Sequence, residues 1–352
     1  MEKVRFAVIG AGHIGKRHAE MVARNPQAEL VAMCDRRSKE DCLVDYDIPF
    51  FNSPEAMFDA GLDFDVVCVC TPNGLHAQHA LLSLKHRRHV VVEKPMALTK
   101  ADCEKIIFSA LNVSRQVFCV MQNRYSPPSE WIKSVVDQGV LGEVYMVQIN
   151  CYWNRDDRYY KKVHWKGTQD LDGGTLFTQF SHFIDIMYWL FGDITNIHSR
   201  FADFKHHHNT EFEDSGLVTF EFVNGGMGVL NFSTAVDRQN FESSMTIIAE
   251  HGTVKVGGQY MNEVEYCDIE GYEMPELAEA NPANDYGHYK GSAANHVYII
   301  ENVIDHLVDH KEITTNALEG LKVVEIIERI YEAGDRITKS LPNGVSETVA
   351  NS

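Results

Sequence analysis

Up to about residue 120, short apolar runs alternate with amphipathic stretches. Residues 4–9 predict a buried strand, 13–24 a helix, and 29–34 a second strand that ends at Asp35. Further strands are predicted at 48–51, 65–71, 88–92 and 116–121. The intervening helices carry start signals. Ser53 precedes Pro54, a residue suited to a first helical turn, and Thr99 with Asp102 resembles a capping box. Strands that alternate with helices predict a parallel, doubly wound sheet.

The pattern changes after Tyr125-Ser126-Pro127-Pro128. A helix at 128–138 leads to β-rich stretches near 143–152, 194–204, 214–223, 226–235, 244–250 and 252–257, interrupted by one strongly apolar helix at 172–191. Strands that follow one another without helices predict an open, largely antiparallel sheet. Residues 268–291 read as a polar loop, helices are predicted at 292–310 and 316–334, and the tail from Leu341 reads as frayed. The expected fold class is α/β. A Rossmann unit covers 1–123, and an α+β unit for substrate binding and oligomerisation covers 124–315. A last helix, about 316–336, is expected to pack back near the first unit.

Composition narrows the class. A length of 352 residues favours two domains over one. No apolar run approaches the ~20 residues that span a bilayer, and no signal-peptide pattern opens the sequence. Eight cysteines without a CxxC pair predict reduced thiols in the cytoplasm. A formal charge of −18 argues against a nucleic-acid partner, and any anionic ligand must be held by local Lys and Arg.

The candidate chemistry begins at Gly10-Ala11-Gly12-His13-Ile14-Gly15. This glycine fingerprint follows a strand, opens a helix, and is followed by Asp35 at the end of the next strand, as dinucleotide binding requires. Asp35 would accept from the adenosine ribose hydroxyls and so favours NAD over NADP. Arg36 and Arg37 beside it could instead hold a 2′-phosphate. Thr71-Pro72-Asn73-Gly74-Leu75-His76 should flank the cofactor, with Asn73 also a possible helix cap. Lys94 ends the fifth strand, at the sheet edge facing the nicotinamide position, although a strand-end lysine is more commonly only a solvated charge.

Gly10–Gly15, Asp35, Thr71-Pro72-Asn73 with His76, and Glu93-Lys94-Pro95 together resemble the glucose–fructose oxidoreductase/inositol dehydrogenase (Gfo/Idh/MocA) family. The resemblance spans nearly the whole chain. It implies that Lys94 is catalytic, that Glu93 lies by the nicotinamide ribose, and that the bond before Pro95 is cis. It also puts Gln122, Asn123, Trp165 and Lys166 with the cofactor. The family's second motif, three glycines and then Asp-x-Gly-x-His-x-x-Asp, corresponds here to Gly173 through Asp185. His182 and Asp185 match, whereas Thr175 and Ser181 replace glycines and Gln179 replaces the first Asp. Spacings of three put Gln179, His182 and Asp185 on neighbouring positions of one helix face. An uncharged amide can orient a hydroxyl but cannot take its proton. Proton abstraction therefore falls to Lys94, with His182 as orienting partner, or to the reverse pair. A free lysine titrates near ~10.4 and would need burial to serve, whereas histidine titrates near ~6.5.

Tyr152-Trp153-Asn154-Arg155, Tyr159-Tyr160, Trp165-Lys166-Gly167, Gln179–His182 and Tyr286–Ser292 look like one branch of that family, the UDP-N-acetyl-2-amino-2-deoxyglucuronate 3-dehydrogenases of bacterial surface-polysaccharide synthesis. This implies NAD-dependent oxidation of a C3′ hydroxyl on a UDP-linked sugar acid. The substrate contacts would be Lys94, Tyr152, Asn154, Arg155, Tyr159, Gln179, Ser181, His182, Tyr289 and Lys290. Lys161, Lys162 and Lys166 are further anion candidates, and Tyr152, Trp153 and Tyr159 could stack on uracil, line the sugar pocket or belong to sheet core. The alternatives are an inositol or simple-sugar 2-dehydrogenase of the same family, and an NAD-binding redox sensor without catalysis. Family precedent implies a homodimer or homotetramer, and some members recycle NADH with 2-oxoglutarate. Three consecutive histidines, His206–His208, diverge in direction, so no metal is expected.

Overall fold

The computed structural model describes residues 3–161, 164–287 and 289–336. Its helices are α1 (His13–Arg24), α2 (Pro54–Asp59), α3 (His76–Lys85), α4 (Lys100–Val113), α5 (Pro127–Asp137), α6 (Asp157–Tyr160), α7 (Ser181–Phe191), α8 (His296–Asp309) and α9 (Ala317–Glu332). The first sheet is wholly parallel, in the order β3-β2-β1-β4-β5-β6. Its strands are β1 (Val4–Ile9), β2 (Ala28–Cys34), β3 (Phe50–Phe51), β4 (Val66–Val69), β5 (His89–Val92) and β6 (Val117–Cys119). Strand order reverses between β1 and β4, which opens a crevice at their carboxyl ends.

The near-continuous apolar strands are covered on both faces. Val4, Phe6 and Val8 pack with Ala19 and Val22 of α1 and with Ile299, Ile300, Val303 and Ile304 of α8. Ala7, Ile9, Val67, Val69, Val90 and Val92 join the other core, with α3, α4 and α9. Helix starts follow the sequence signals. Ser53 and Thr99 accept from the amides of Ala56 and Asp102, and the Thr99 hydroxyl donates to the Asp102 carboxylate.

The second sheet has eight strands, in the order β13-β12-β11-β7-β10-β9-β8-β16. They are β7 (Val144–Tyr152), β8 (Ile194–Ala202), β9 (Ser215–Phe222), β10 (Met227–Ser233), β11 (Glu242–Ala249), β12 (Gly252–Gly257), β13 (Glu263–Ile269) and β16 (Gly334–Arg336). It is mostly antiparallel, but β10 pairs with β7, and β16 with β8, in parallel. Alternate residues such as Val147, Ile149 and Cys151 face α7. The other face is open.

Three expectations need correction. The predicted loop at 268–291 ends in a hairpin of β14 (Ala283–Asp285) and β15 (Lys290–Ala293). Edge strand β13 went unread because its charged, largely exposed residues show no apolar alternation. The apolar helix at 172–191 is not one helix. Gly173 and Gly174, at φ +90° and +131°, keep the chain out of helical geometry, and a π-helical turn at Leu176–Phe180 precedes α7. Such turns free backbone groups and recur at functional sites.

Helix α9 opens with a capping box between Asn316 and Glu319 and packs against α4 and α7. Thr315 donates to Cys119 O, at the end of β6. Among the described residues no helix is long and apolar enough to cross a membrane.

Candidate active site

The glycine turn after β1 is fixed by close packing. Gly10 has φ +96°, and a Cβ there would meet Cys70 O at 2.5 Å; at Gly15 it would meet Gly10 O at 1.7 Å. Beside Gly12 there is open space, and this residue caps α1 without a side-chain bond. The start of α1 at His13 and Ile14, approached across the open space beside Gly12, suits an anion such as a dinucleotide pyrophosphate.

Asp35 accepts from Ala11 N (2.8 Å) and is gripped by Arg37, with Nε and Nη2 each at 2.9 Å. Burial works against its charge, yet the Arg37 and backbone hydrogen bonds hold its carboxyl down at about 2. Arg37, not Arg36, is therefore the engaged arginine; its fork is filled by Asp35, and Arg36 lies exposed. An ionised Asp35 suits a ribose diol and repels a 2′-phosphate.

The loop after β4 is braced from several sides. Thr71 Oγ1 lies 3.0 Å from His79 Nδ1, and the His76 ring is wedged between Pro95 O (2.7 Å) and Thr71 O (2.8 Å). Asn73, which follows Pro72, is not a helix cap. Its amide donates to Asp172 O and Thr178 Oγ1, tying this loop to the start of the π-helical turn. After β5 the Lys94–Pro95 bond is cis. Lys94 Nζ donates to Thr178 O at 2.5 Å, a carbonyl presented by that turn. Burial lowers the Lys94 ammonium to about 8, although Glu93 and Asp172 pull it upward.

Beneath Lys94, Glu93 Oε1 lies 2.8 Å from His18 Nε2 and 3.5 Å from His296 Nε2. Burial opposes charge on both Glu93 and His18, yet their mutual contact keeps Glu93 ionised, and bonds to Cys68 and Glu93 lift His18 to about 10. The potential ligand atoms of the three lie within 4.8 Å of one another. However, Glu93 is already paired, and among the described residues Nδ1 of His296 is buried without the acceptor that orients a metal-bound imidazole. The cluster is thus better described as a charge pair than as a metal centre. Gln122 Oε1 and Asn123 Nδ2, just beyond β6, are buried and without a hydrogen-bond partner among the described residues, as suits groups that meet a ligand.

A second polar group in the crevice centres on Arg155, whose Nε donates to Gln179 Oε1 at 2.7 Å. Gln179 Nε2 donates to Tyr159 Oη at 2.8 Å. The Lys166 ammonium sits 3.5 Å from the centre of the Tyr159 ring and 4.9 Å from that of Tyr289. Burial, then Arg155, lowers it to about 7. Asp172 accepts from Gly167 N and from the Thr178 hydroxyl, and burial raises it to about 6. Ser181 and His182 begin α7, with Oγ and Nδ1 buried and without a hydrogen-bond partner among the described residues. Burial, then the Lys94 charge, pushes His182 well below the usual histidine value, so its ring is neutral.

Several expected contacts fall elsewhere. Tyr152 points to the open face of the sheet, where it bonds Asn150, because Cys151 and Trp153 take the inward positions. Trp153 is core, edge-on to Phe180 and Phe183, with Nε1 donating to Ser243 Oγ. Asn154 braces Val236 O. Lys290 offers Arg155 its backbone carbonyl, at 3.2 Å, while its side chain is exposed. Trp165 is half-buried and accepts from Thr168 through its carbonyl. Lys161 is exposed and pairs with Asp157. Asp185 leaves the site entirely, bound by Arg124. Among the histidine triplet, His206 turns toward Asp214 and His208 toward Asp157. Lys162, His288 and the tail from Leu341 lie outside the described residues.

Sequence reasoning missed Asp172, His18 and His296. The histidines had a readable signal, since each occupies an apolar-face position: His18 with Gly15, Ala19 and Val22, and His296 with Ile299, Ile300 and Val303.

A Rossmann crevice with a glycine cradle, an ionised Asp35 and a buried lysine defines an NAD-dependent dehydrogenase. Residues 4–120 match the oxidoreductase family with an NAD-binding Rossmann fold, and residues 130–255 match the GFO/IDH/MocA C-terminal domain; the chain belongs to the Gfo/Idh/MocA family. Its relatives include the D-glucoside 3-dehydrogenase of Escherichia coli K12, 26% identical, with 96% of this chain and 97% of that protein covered. The WlbA dehydrogenase of Bordetella pertussis, solved with NADH and UDP-GlcNAcA, superposes with a TM-score of 0.83 at 30% identity, over 94% of this chain and 96% of that one. The corresponding Chromobacterium violaceum complex gives 0.82 at 28% identity, over 95% and 94%.

Proposed function

We propose that the protein oxidises the C3′ hydroxyl of a UDP-linked amino-sugar acid, UDP-N-acetylglucosaminuronate, to the 3-keto sugar, for bacterial surface-polysaccharide synthesis. The observation that carries this reading is the charge of the pocket. Arg155 and Lys166 converge there beside Lys94 in a protein of net charge −18, with Asp172 among them and Glu93 beneath Lys94. Likeness to the WlbA complexes, which hold a sugar acid of this class, supports it.

NAD+ held by the Gly10–Gly15 cradle and Asp35 would supply the acceptor for the hydride of the carbinol carbon. Lys94, as the neutral amine, takes the hydroxyl proton, while the Thr178 carbonyl fixes its direction. His182, uncharged, orients the hydroxyl. Arg155 and Lys166 hold acidic groups, and Tyr159 and Tyr289 wall the sugar. The Gly10–Gly15 cradle, Asp35, the Thr71–His76 loop, Glu93, Gln122 and Asn123 hold the dinucleotide.

Incubation with NAD+ and a panel of UDP-sugars, uronic acids, inositol and glucosides, with and without 2-oxoglutarate, is expected to yield NADH absorbance with the UDP-sugar acid foremost. A response to 2-oxoglutarate would reveal cofactor recycling in place. Turnover of glucosides or inositol with none of UDP-sugar acids would establish instead the second reading, a simple-sugar dehydrogenase, which the D-glucoside 3-dehydrogenase relative favours.

Assembly into a homodimer or homotetramer belongs to the same reading. On the open sheet face, exposed Met146, Met227 and Ile248 stand in register across three neighbouring strands, an apolar row suited to a second copy.

A further inference from the structure

Among the described residues two arginines are fully buried, and they are treated in opposite ways. Arg124 meets Asp185 through two nitrogens and Glu319 through the third. Every partner of Arg155 is neutral: Gln179 Oε1 (2.7 Å), Asn154 O (2.6 Å), Asn240 Oδ1 (3.1 Å) and Lys290 O (3.2 Å). The rings of Trp153, Tyr159 and Tyr289 surround its guanidinium at 4.8–5.1 Å. Among the described residues no carboxylate lies within ion-pair reach of it. Asp172 is taken up by Gly167 and Thr178 and acts on Lys94 and Lys166 instead. A buried charge without a counter-charge costs several kcal/mol, and a ligand that supplies the missing charge recovers that cost.

Gln179 governs which ligand can do so. Both ends of its side chain are fixed, the oxygen by Arg155 and the amide by Tyr159. Glutamate has the same length and shape. One of its oxygens would accept from Arg155, and the other from the Tyr159 hydroxyl, which can turn to donate. The lasting change would be a negative charge against the guanidinium.

We propose that Gln179 is a specificity-determining residue: because it is uncharged, it leaves the Arg155 guanidinium to a carboxylate on the substrate, so the pocket selects sugar acids over neutral sugars. This rests on the reading above for the reaction, but not for the nucleotide. The test compares wild type, Gln179→Glu and Gln179→Met on UDP-N-acetylglucosaminuronate and on UDP-N-acetylglucosamine, which carries a hydroxymethyl group in place of the carboxylate. In Gln179→Glu the ratio of kcat/KM, acid over neutral, falls by about 100-fold, mostly through KM. Gln179→Met removes the hydrogen bonds but adds no charge, and keeps the ratio within about threefold of wild type. Equal falls in both variants mean a structural role and overturn the proposal, as does an unchanged ratio in Gln179→Glu.

A second measurement needs no turnover. D-Glucuronate raises the melting temperature of the NAD-loaded wild type and Gln179→Met more than D-glucose does, and loses that advantage in Gln179→Glu. If wild type turns over neither UDP-sugar, the functional reading fails and the glucuronate comparison decides this inference alone. Glucuronate and glucose acting alike on wild type would then overturn it too.

Discussion

Replacing Lys94 with alanine should lower kcat by about 1000-fold, the size of a lost general base, while the Kd for NAD stays near the wild-type value. The cradle at Gly10–Gly15 and the Asp35 carboxylate make no contact that depends on Lys94. The same residue sets the pH dependence. Burial disfavours the ammonium, so the amine becomes available at about 8 rather than at the ordinary lysine value. Hence kcat for oxidation at saturating substrate should rise with pH up to about 8 and level off above it, whereas kcat/KM also carries the loss of the Lys166 charge above about 7. His182 adds no step near neutrality, because its ring is already uncharged. Arginine at position 94 would not rescue turnover, since a guanidinium does not give up its proton in this range. Steady-state kinetics of Lys94→Ala at pH 6 to 10, with NAD binding followed by fluorescence, checks both claims. A variant that kept wild-type kcat would remove Lys94 from the chemistry.

The second large effect is on stability. Asp185→Ala should cost about 3–5 kcal/mol, because it leaves the buried Arg124 guanidinium with Glu319 as its one remaining carboxylate. Denaturant titration reads this directly. The acid-to-neutral substrate ratio of the surviving folded enzyme should stay as in wild type, since Asp185 faces Arg124 and not Arg155. A shift in that ratio with no loss of stability would return Asp185 to the substrate pocket.

This contrast marks where the sequence could and could not be read. The parallel sheet was legible because β1, β4 and β5 are apolar runs punctuated by Gly10, Thr71 and Lys94. Residues at their carboxyl ends must reach the crevice, so the loop positions followed from strand order alone. The motif around His182 was harder. Gln179, His182 and Asp185 have helical spacing, but Gln179 lies in the π-helical turn while His182 and Asp185 lie in α7. Asp185 then points to Arg124 from α7, while Gln179 points to Arg155. Tyr152 failed for a simpler reason: a strand alternates, and its neighbour Trp153 had already taken the inward side. The role of Asn240 depends on its contact with Arg155 across 85 residues of chain, and Asp172 is tied to Asn73 across 99, pairings that only the folded chain brings together.

Helix α8 has one more consequence. Its Ile299, Ile300, Val303 and Ile304 complete the hydrophobic layer beneath β1, although β6, the last strand of that sheet, ends at Cys119. The segment between them, which carries Arg155, Lys166 and Gln179, is therefore inserted into a cofactor fold that closes only when the chain comes back. A fragment ending at residue 123 would expose that layer to water. Conversely, both ends of the insert are anchored on one scaffold, so substrate range can diverge within it by exchange of the whole segment while the redox half stays constant.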